Sequence, residues 1–188
     1  MSMNKKIFLP IILGTNRKDR QSEYVADFLV GEIEVHEGIN TKLIDVRDFH
    51  FPANDYGPNL KEKAPFKSYA DTIQRADGII IVAPEYNHSY PGVLKSLLDV
   101  CYKEYEYKAV GLVGVSMGAW GGIRVIESLL PVVKALGLST IKLDLQFPNV
   151  QDIFDADGKI IDAGAPERAQ KFISSLVRVS SSLRLARE

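Results

Sequence analysis

Apolar residues fall into two patterns along the chain. Residues 7–13 (IFLPIIL), 78–83 (GIIIVA) and 109–115 (AVGLVGV) are short, continuous apolar runs, the form of a strand buried on both faces. Residues 41–46 and 139–145 predict two further strands. Between the runs, the spacing turns helical. Residues 21–35 set Val25, Phe28, Leu29 and Ile33 on one face, an amphipathic helix. Residues 66–76, 91–101, 119–136 and 166–185 predict further helices. Pro91 suits a first helical turn, and Pro131 predicts a kink. Pro10 lacks the N–H of a central ladder, so a bulge is expected there, or pairing mainly beyond it. Residues 47–62, with Pro52, Gly57 and Pro58, read as a long loop. Residues 155–158 (DADG) signal a turn that suits a small hairpin.

Strand and helix alternate throughout. This predicts an α/β fold, a doubly wound five-stranded parallel sheet with helices on both faces and strand order 2-1-3-4-5. Ligands of such sheets lie beyond the carboxyl ends of the strands, at the switch point. Loops 14–22, 83–91 and 116–122 meet there.

The length of 188 residues suits one domain spanning 1–188. A net charge of -1 gives no electrostatic footprint for nucleic acid or an anionic membrane. No apolar stretch reaches the ~18 residues of a membrane span. Lys5-Lys6 lead into an apolar run that stops at Gly14, too short for a signal peptide. The lone Cys101 excludes an internal disulfide and suits a reducing compartment, so a cytoplasmic location is expected. Cys101 also falls on an apolar helix face, as buried filler would. The three histidines have no paired ligand spacing, and no zinc site is expected.

The first loop, GTNRKDRQS, offers the hydroxyls of Thr15 and Ser22, the Arg17 cation and a helix N-terminus. Together these make an anion site that fits a phosphate monoester. It is neither a Walker loop nor a G-x-G-x-x-G fingerprint. Ser22 as a plain N-cap among solvated charges is the other reading. In the second loop, APEYNHSYPG, Tyr86 and Tyr90 suit the faces of a flat ring, and Asn87 and the backbone amides suit its heteroatoms. A polar turn with packed tyrosines is the alternative. In the third, Gly118, Gly121 and Gly122 permit close approach of backbone to a ligand or to a neighbouring strand.

Residues 114–118 (GVSMG) also fit G-x-S-x-G, which would make Ser116 a hydrolytic nucleophile. Such a serine needs a base, normally a histidine that follows it in the chain. His36, His50 and His88 all precede Ser116, and only His88 is placed near this end of the sheet. The hydrolase reading is therefore a minor alternative.

With these three loops the chain resembles the NADPH-dependent FMN reductase family, which is flavodoxin-like. The matching pieces are Gly14-Thr15-Asn16-Arg17 with Ser22, Pro84-Glu85-Tyr86-Asn87 with Pro91-Gly92-Val93-Leu94-Lys95, and Ser116, Gly118, Gly121 and Gly122. The resemblance covers residues 7–145. It implies a bound FMN, NADPH or NADH as co-substrate, and a small acceptor such as a quinone, an azo compound or free flavin. It assigns Thr15, Arg17 and Ser22 to the flavin phosphate, with Gln21 beside them. It assigns Pro84, Glu85, Tyr86 and Asn87 to the isoalloxazine and ribityl groups, and Ser116, Gly118 and Gly121 to a backbone bed whose N–H groups meet the ring's polar edge. No side-chain acid or base is implied, and the subunit is expected in a homodimer or homotetramer. By charge and position alone, Lys18 or Arg20 would suit the extra phosphate of the donor, with plain solvation at the surface the leading alternative. Ser96 and Val100 depart from the family, which often has an amide-bearing residue and an aromatic at these places. A flavodoxin-type electron carrier is the main rival. Such carriers are usually strongly acidic, and a net charge of -1 argues against one.

Overall fold

A single parallel sheet organises the computed structural model, which describes residues 6–52 and 58–187. Its strands are β1 (Ile7–Leu13), β2 (Ile39–Asp45), β3 (Gly78–Pro84), β4 (Ala109–Val115), β5 (Ser139–Thr140) and β6 (Leu145–Phe147). They run in the order β2-β1-β3-β4-β5, with β6 also paired to β4. This is the expected doubly wound, flavodoxin-like topology.

Alternation along the central strands sorts side chains to two faces. Ile79 and Ile81 of β3 join one core with Phe66, Leu94 and Val125, from α2 (Phe66–Arg75), α3 (Gly92–Leu98) and α4 (Ile123–Ala135). Ile80 and Val82 join the other with Leu29 and Phe172, from α1 (Ser22–Glu34) and α5 (Ala165–Arg187). Buried on both sides, the strands need the continuous apolar runs seen in the sequence. Among the described residues, no helix is long and apolar enough to cross a membrane.

Pro10 needs no bulge. β1 pairs with β2 without interruption from Ile7 to Leu13, but with β3 only from Ile11. The Ile7 N–H donates toward β2, to the Gly38 carbonyl, so alternate residues place Pro10 toward β3. Asp77 fills that gap in the ladder. Its carboxylate accepts from the Phe8 N–H at 2.9 Å, and its own N–H donates to the Phe8 carbonyl at 2.9 Å. Pairing mainly beyond Pro10 thus describes one edge of the strand only.

The last strand differs from the expectation of one run over 139–145. β5 pairs with Ala109 and Val110, and β6 with Val113 to Val115. Lys142, Leu143 and Asp144 between them are all exposed, and three consecutive exposed positions break the alternation of a half-buried strand. α4 starts at Ile123 rather than 119, because Gly121 and Gly122 take φ of 60° and 80°. Pro131 lies inside α4. Loop 47–62 contains short 3₁₀ turns at Val46–Asp48 and Pro58–Leu60, and its residues 53–57 lie outside the described ones. The small hairpin is present, with Phe154 bridged antiparallel to Ile160.

Candidate functional site

The carboxyl ends of β1, β3 and β4 carry the three loops to one place. The first two are tied by a buried hydroxyl. Thr15 Oγ1 and Tyr86 OH share a hydrogen bond at 2.8 Å, and Thr15 Oγ1 accepts from the Arg17 N–H at 3.3 Å. The Arg17 guanidinium stands 5.7 Å from the centroid of the Tyr86 ring, within cation–π range.

Ser22 is not an N-cap. It is the first residue of α1, and Gln21 holds the cap position without a side-chain bond. The Ser22 hydroxyl is buried and has no hydrogen-bond partner among the described residues. A buried polar atom left unpaired is destabilising. Here it lies at the positive end of a helix, where an anion's oxygens would satisfy it.

Arg20 overturns the expectation that it meets the donor's phosphate. It is buried, and its Nη1 donates to Asp45 Oδ1 at 2.7 Å and to the Thr15 carbonyl. Its Nη2 pairs with Asp45 Oδ2, and its Nε donates to Glu23 at 3.3 Å. Burial pulls the Arg20 pKa down, but Asp45 and Glu23 outweigh it and hold it above the ordinary value. Burial likewise pushes Asp45 up, yet the Arg20 bond, the Arg47 amide and their charges hold its carboxyl below the ordinary range. The guanidinium therefore fastens loop 14–22 to the end of β2. Lys18 is exposed on the cavity wall.

The second loop is a tight hairpin. Tyr86 and Ser89 exchange both backbone bonds, at 2.8 and 3.0 Å. Asn87 and His88 between them have φ of 49° and 68°, as a two-residue type I′ turn requires. Asn87 is at the exposed corner, beside the cavity wall rather than in it. Tyr90, expected with Tyr86 at a ring face, packs instead against the α2–α4 core. The Glu85 N–H donates to the Val115 carbonyl at 2.9 Å. The Glu85 carboxylate accepts from the Arg124 N–H at 3.3 Å and pairs with its guanidinium at 3.2 Å, so it caps the N-terminus of α4.

In the third loop, the Ser116 N–H donates to the Phe147 carbonyl at 3.1 Å, and its hydroxyl donates to the Gly118 carbonyl at 2.8 Å. The Ser116 amide is thus already paired within the protein. The two left-handed glycines serve strand packing. A Cβ on Gly121 would stand 2.9 Å from Gln146 Cβ, and one on Gly122 would stand 2.5 Å from the Val115 nitrogen. Gly118 alone of the three faces open space, where a Cβ would meet only Ser116 Oγ at 3.9 Å.

These loops enclose a cavity of about 570 Å³, whose wall includes Arg17, Gln21, Ser22, Pro84, Tyr86 and Ser116. Volume does not single it out, since hollows of about 500 and 580 Å³ lie along α5 and beside Lys108. Its place at the switch point and its convergent polar groups do. Met117, Trp120 and Arg124 also line it. Met117 and Arg124 carry no role from the sequence, whereas Trp120 stands open there between a neighbour of the ring and a subunit contact.

Residues 9–152 match the family model described as NADPH-dependent FMN reductase. The chain belongs to the NADPH-dependent FMN reductase family. It is 26% identical to a quinone reductase of Pseudomonas putida, over 87% of this chain and 90% of that one. It is 29% identical to an FMN-dependent NADPH-azoreductase of Staphylococcus haemolyticus, over 82% and 80%. The solved structure of FerB, a flavoenzyme NAD(P)H:(acceptor) oxidoreductase from Paracoccus denitrificans, superposes with a TM-score of 0.76 at 22% identity. That alignment covers 94% of this chain and 98% of FerB, and it bears on the fold alone.

Membership in this family of NAD(P)H-dependent, FMN-using oxidoreductases calls for no side-chain nucleophile. The Ser116 hydroxyl points at a carbonyl, which takes no proton, and no histidine is among the residues lining the cavity. Cys101 is buried, and burial, then the Glu104 charge, push its thiol up to about 12, far from the thiolate a nucleophile needs. Where the reductase family often has an amide and an aromatic, Ser96 donates to the Gly92 carbonyl at 3.2 Å, and Val100 is buried.

Proposed function

We propose that the chain binds FMN in the cavity between its three loops and transfers two electrons from NADPH or NADH to a small quinone or azo acceptor. The observation that carries this reading is the buried, unpartnered Ser22 hydroxyl at the α1 N-terminus, beside Thr15 and Arg17. Helix dipole, free hydroxyl and guanidinium suit a phosphate monoester, and the residues present fit the group. Relatives named quinone reductase and FMN-dependent NADPH-azoreductase support the acceptor class.

When bound, FMN supplies the hydride acceptance and electron delivery that no side chain here provides. For a quinone the overall change is NADPH plus a proton plus quinone giving NADP⁺ and hydroquinone. The protein's part is binding and orientation. Thr15, Arg17, Gln21 and Ser22 would hold the phosphate, while Arg20 and Asp45 keep their loop in place. Pro84, Glu85 and Tyr86 would present one wall to the ring and its ribityl chain, with Asn87 at the exposed corner beside it. Ser116 and Gly118 would form the opposite bed, with Gly118 giving the open approach and Gly121 packed against β6 behind it. Protons come from solvent. A homodimer or homotetramer in the cytoplasm belongs to the same reading, and sedimentation tests the assembly.

Steady-state NADPH oxidation with a quinone, measured with and without added FMN, tests the proposal. Multiple turnovers that require FMN are expected. A flavin-loaded protein that shows no turnover would instead be an electron carrier.

A further inference from the structure

Trp120 is the only tryptophan of the chain, and it is 67% exposed on the cavity wall. A large exposed ring at a cavity rim marks a contact surface. This one is held in place. The Arg124 guanidinium lies 5.8 Å from its ring centroid, a cation–π distance. Arg124 is fixed in turn by Glu85 at 3.2 Å, and the Glu85 N–H is bonded to Val115 of β4. The chain Glu85–Arg124–Trp120 therefore orients the indole from the sheet while leaving most of it uncovered. Met117, 70% exposed, stands on the same loop and adds a soft, polarizable neighbour. Ser22 and Arg17 make the other part of the wall polar and cationic. The cavity thus has an anion end and an aromatic end.

We infer that Trp120 is a specificity-determining residue whose exposed indole stacks on the second ring of a fused aromatic acceptor. The site then favours a bicyclic, naphthoquinone-type acceptor over a single-ring benzoquinone, because a fused second ring offers the exposed indole more aromatic area to stack on. This rests on the oxidoreductase reading above. A second copy of the chain is the rival occupant of the same face.

The test uses the full-length, FMN-loaded protein as wild type, Trp120→Ala and Trp120→Phe. Trp120→Ala is expected to raise the ratio of KM for a naphthoquinone to KM for benzoquinone by about three- to tenfold, the scale of one aromatic stack. FMN content is retained, and Trp120→Phe restores most of the ratio. Incorporation of 5-fluorotryptophan gives one resonance, because Trp120 stands alone. That resonance is expected to shift with naphthalene-2-carboxylate, much less with benzoate, and not with protein concentration. An unchanged KM ratio in flavin-loaded, active Trp120→Ala protein overturns this inference and leaves the oxidoreductase reading standing. A resonance that moves with protein concentration and ignores the naphthalene carboxylate overturns it in favour of a subunit contact. A protein that takes up no FMN overturns both.

Discussion

Ser22 carries two expectations of opposite sign. Its unpaired hydroxyl weakens the ligand-free fold by about 1–3 kcal/mol on the usual scale for a buried unsatisfied group. Ser22→Ala should therefore raise the melting temperature of flavin-free protein while weakening FMN binding about tenfold. Thermal unfolding without FMN and a fluorescence titration with it read the two effects separately. Ser116→Ala removes a bond to the Gly118 carbonyl, which also accepts from Asn149 at 3.2 Å. A rise in FMN Kd below about fivefold is expected, comparable to one neutral hydrogen bond, with turnover kept at saturating FMN. Complete loss of turnover in the flavin-loaded variant would return Ser116 to the role of nucleophile. Asp45→Asn strips the buried Arg20 of its main partner, a loss of about 3 kcal/mol for a broken buried pair. Asp45 is held below its ordinary range, so its stabilisation is present at neutral pH and lost as pH falls through its lowered folded-state value. Urea midpoints of wild type and variant should differ fully at pH 7 and converge in acid. That Arg17 and Ser22 share one cavity wall was legible in the sequence, because a strand–loop–helix corner brings them together by itself. Arg20 was not, because the Asp45 that captures it arrives from another strand.

At the scale of elements, the βα corner after β4 depends on glycine. Gly122 has φ 80°, and a Cβ there would stand 2.5 Å from the Val115 nitrogen and 2.8 Å from the Gly114 carbonyl carbon. These are backbone atoms that cannot swing aside. Gly122→Ala should destabilise by at least about 2 kcal/mol, the sum of left-handed strain and overpacking. Chemical denaturation measures it, and a loss under about 0.5 kcal/mol, that of an ordinary surface change, would mean that the corner relaxes freely. The same glycines show what a sequence leaves open. Close approach was readable, but whether to a ligand or to a strand was not, and at Gly121 and Gly122 it is to strands. Continuous apolar runs revealed β1, β3 and β4, since burial on both faces permits little else. The last strand was less legible, because exposure over 142–144 depends on where the chain leaves the edge of the sheet. Pro10 was readable as a fault in the ladder, but Asp77 as the partner of the neighbouring Phe8 backbone required the fold.

At the scale of the molecule, the order β2-β1-β3-β4-β5 brings the three loops to one end. The alternation of strand and helix already implied this order, and the P-E-Y-N stretch in its place after β3 pointed to the family. The sequence left Trp120 open between a ring neighbour and a subunit contact and gave Arg124 no role, because both depend on exposure and on one cation–π contact. The cavity has a cationic, hydroxyl-bearing end tied to β1 and α1 and an aromatic end tied to β4 and α4, and the proposed FMN would join these two chemistries. The most direct measurement is the visible spectrum of the protein after incubation with FMN and removal of the excess. One bound flavin per chain is expected, absorbing near ~450 nm, with that band lost on NADPH addition and regained when a quinone is supplied. A protein that stays colourless with FMN in excess would contradict the account.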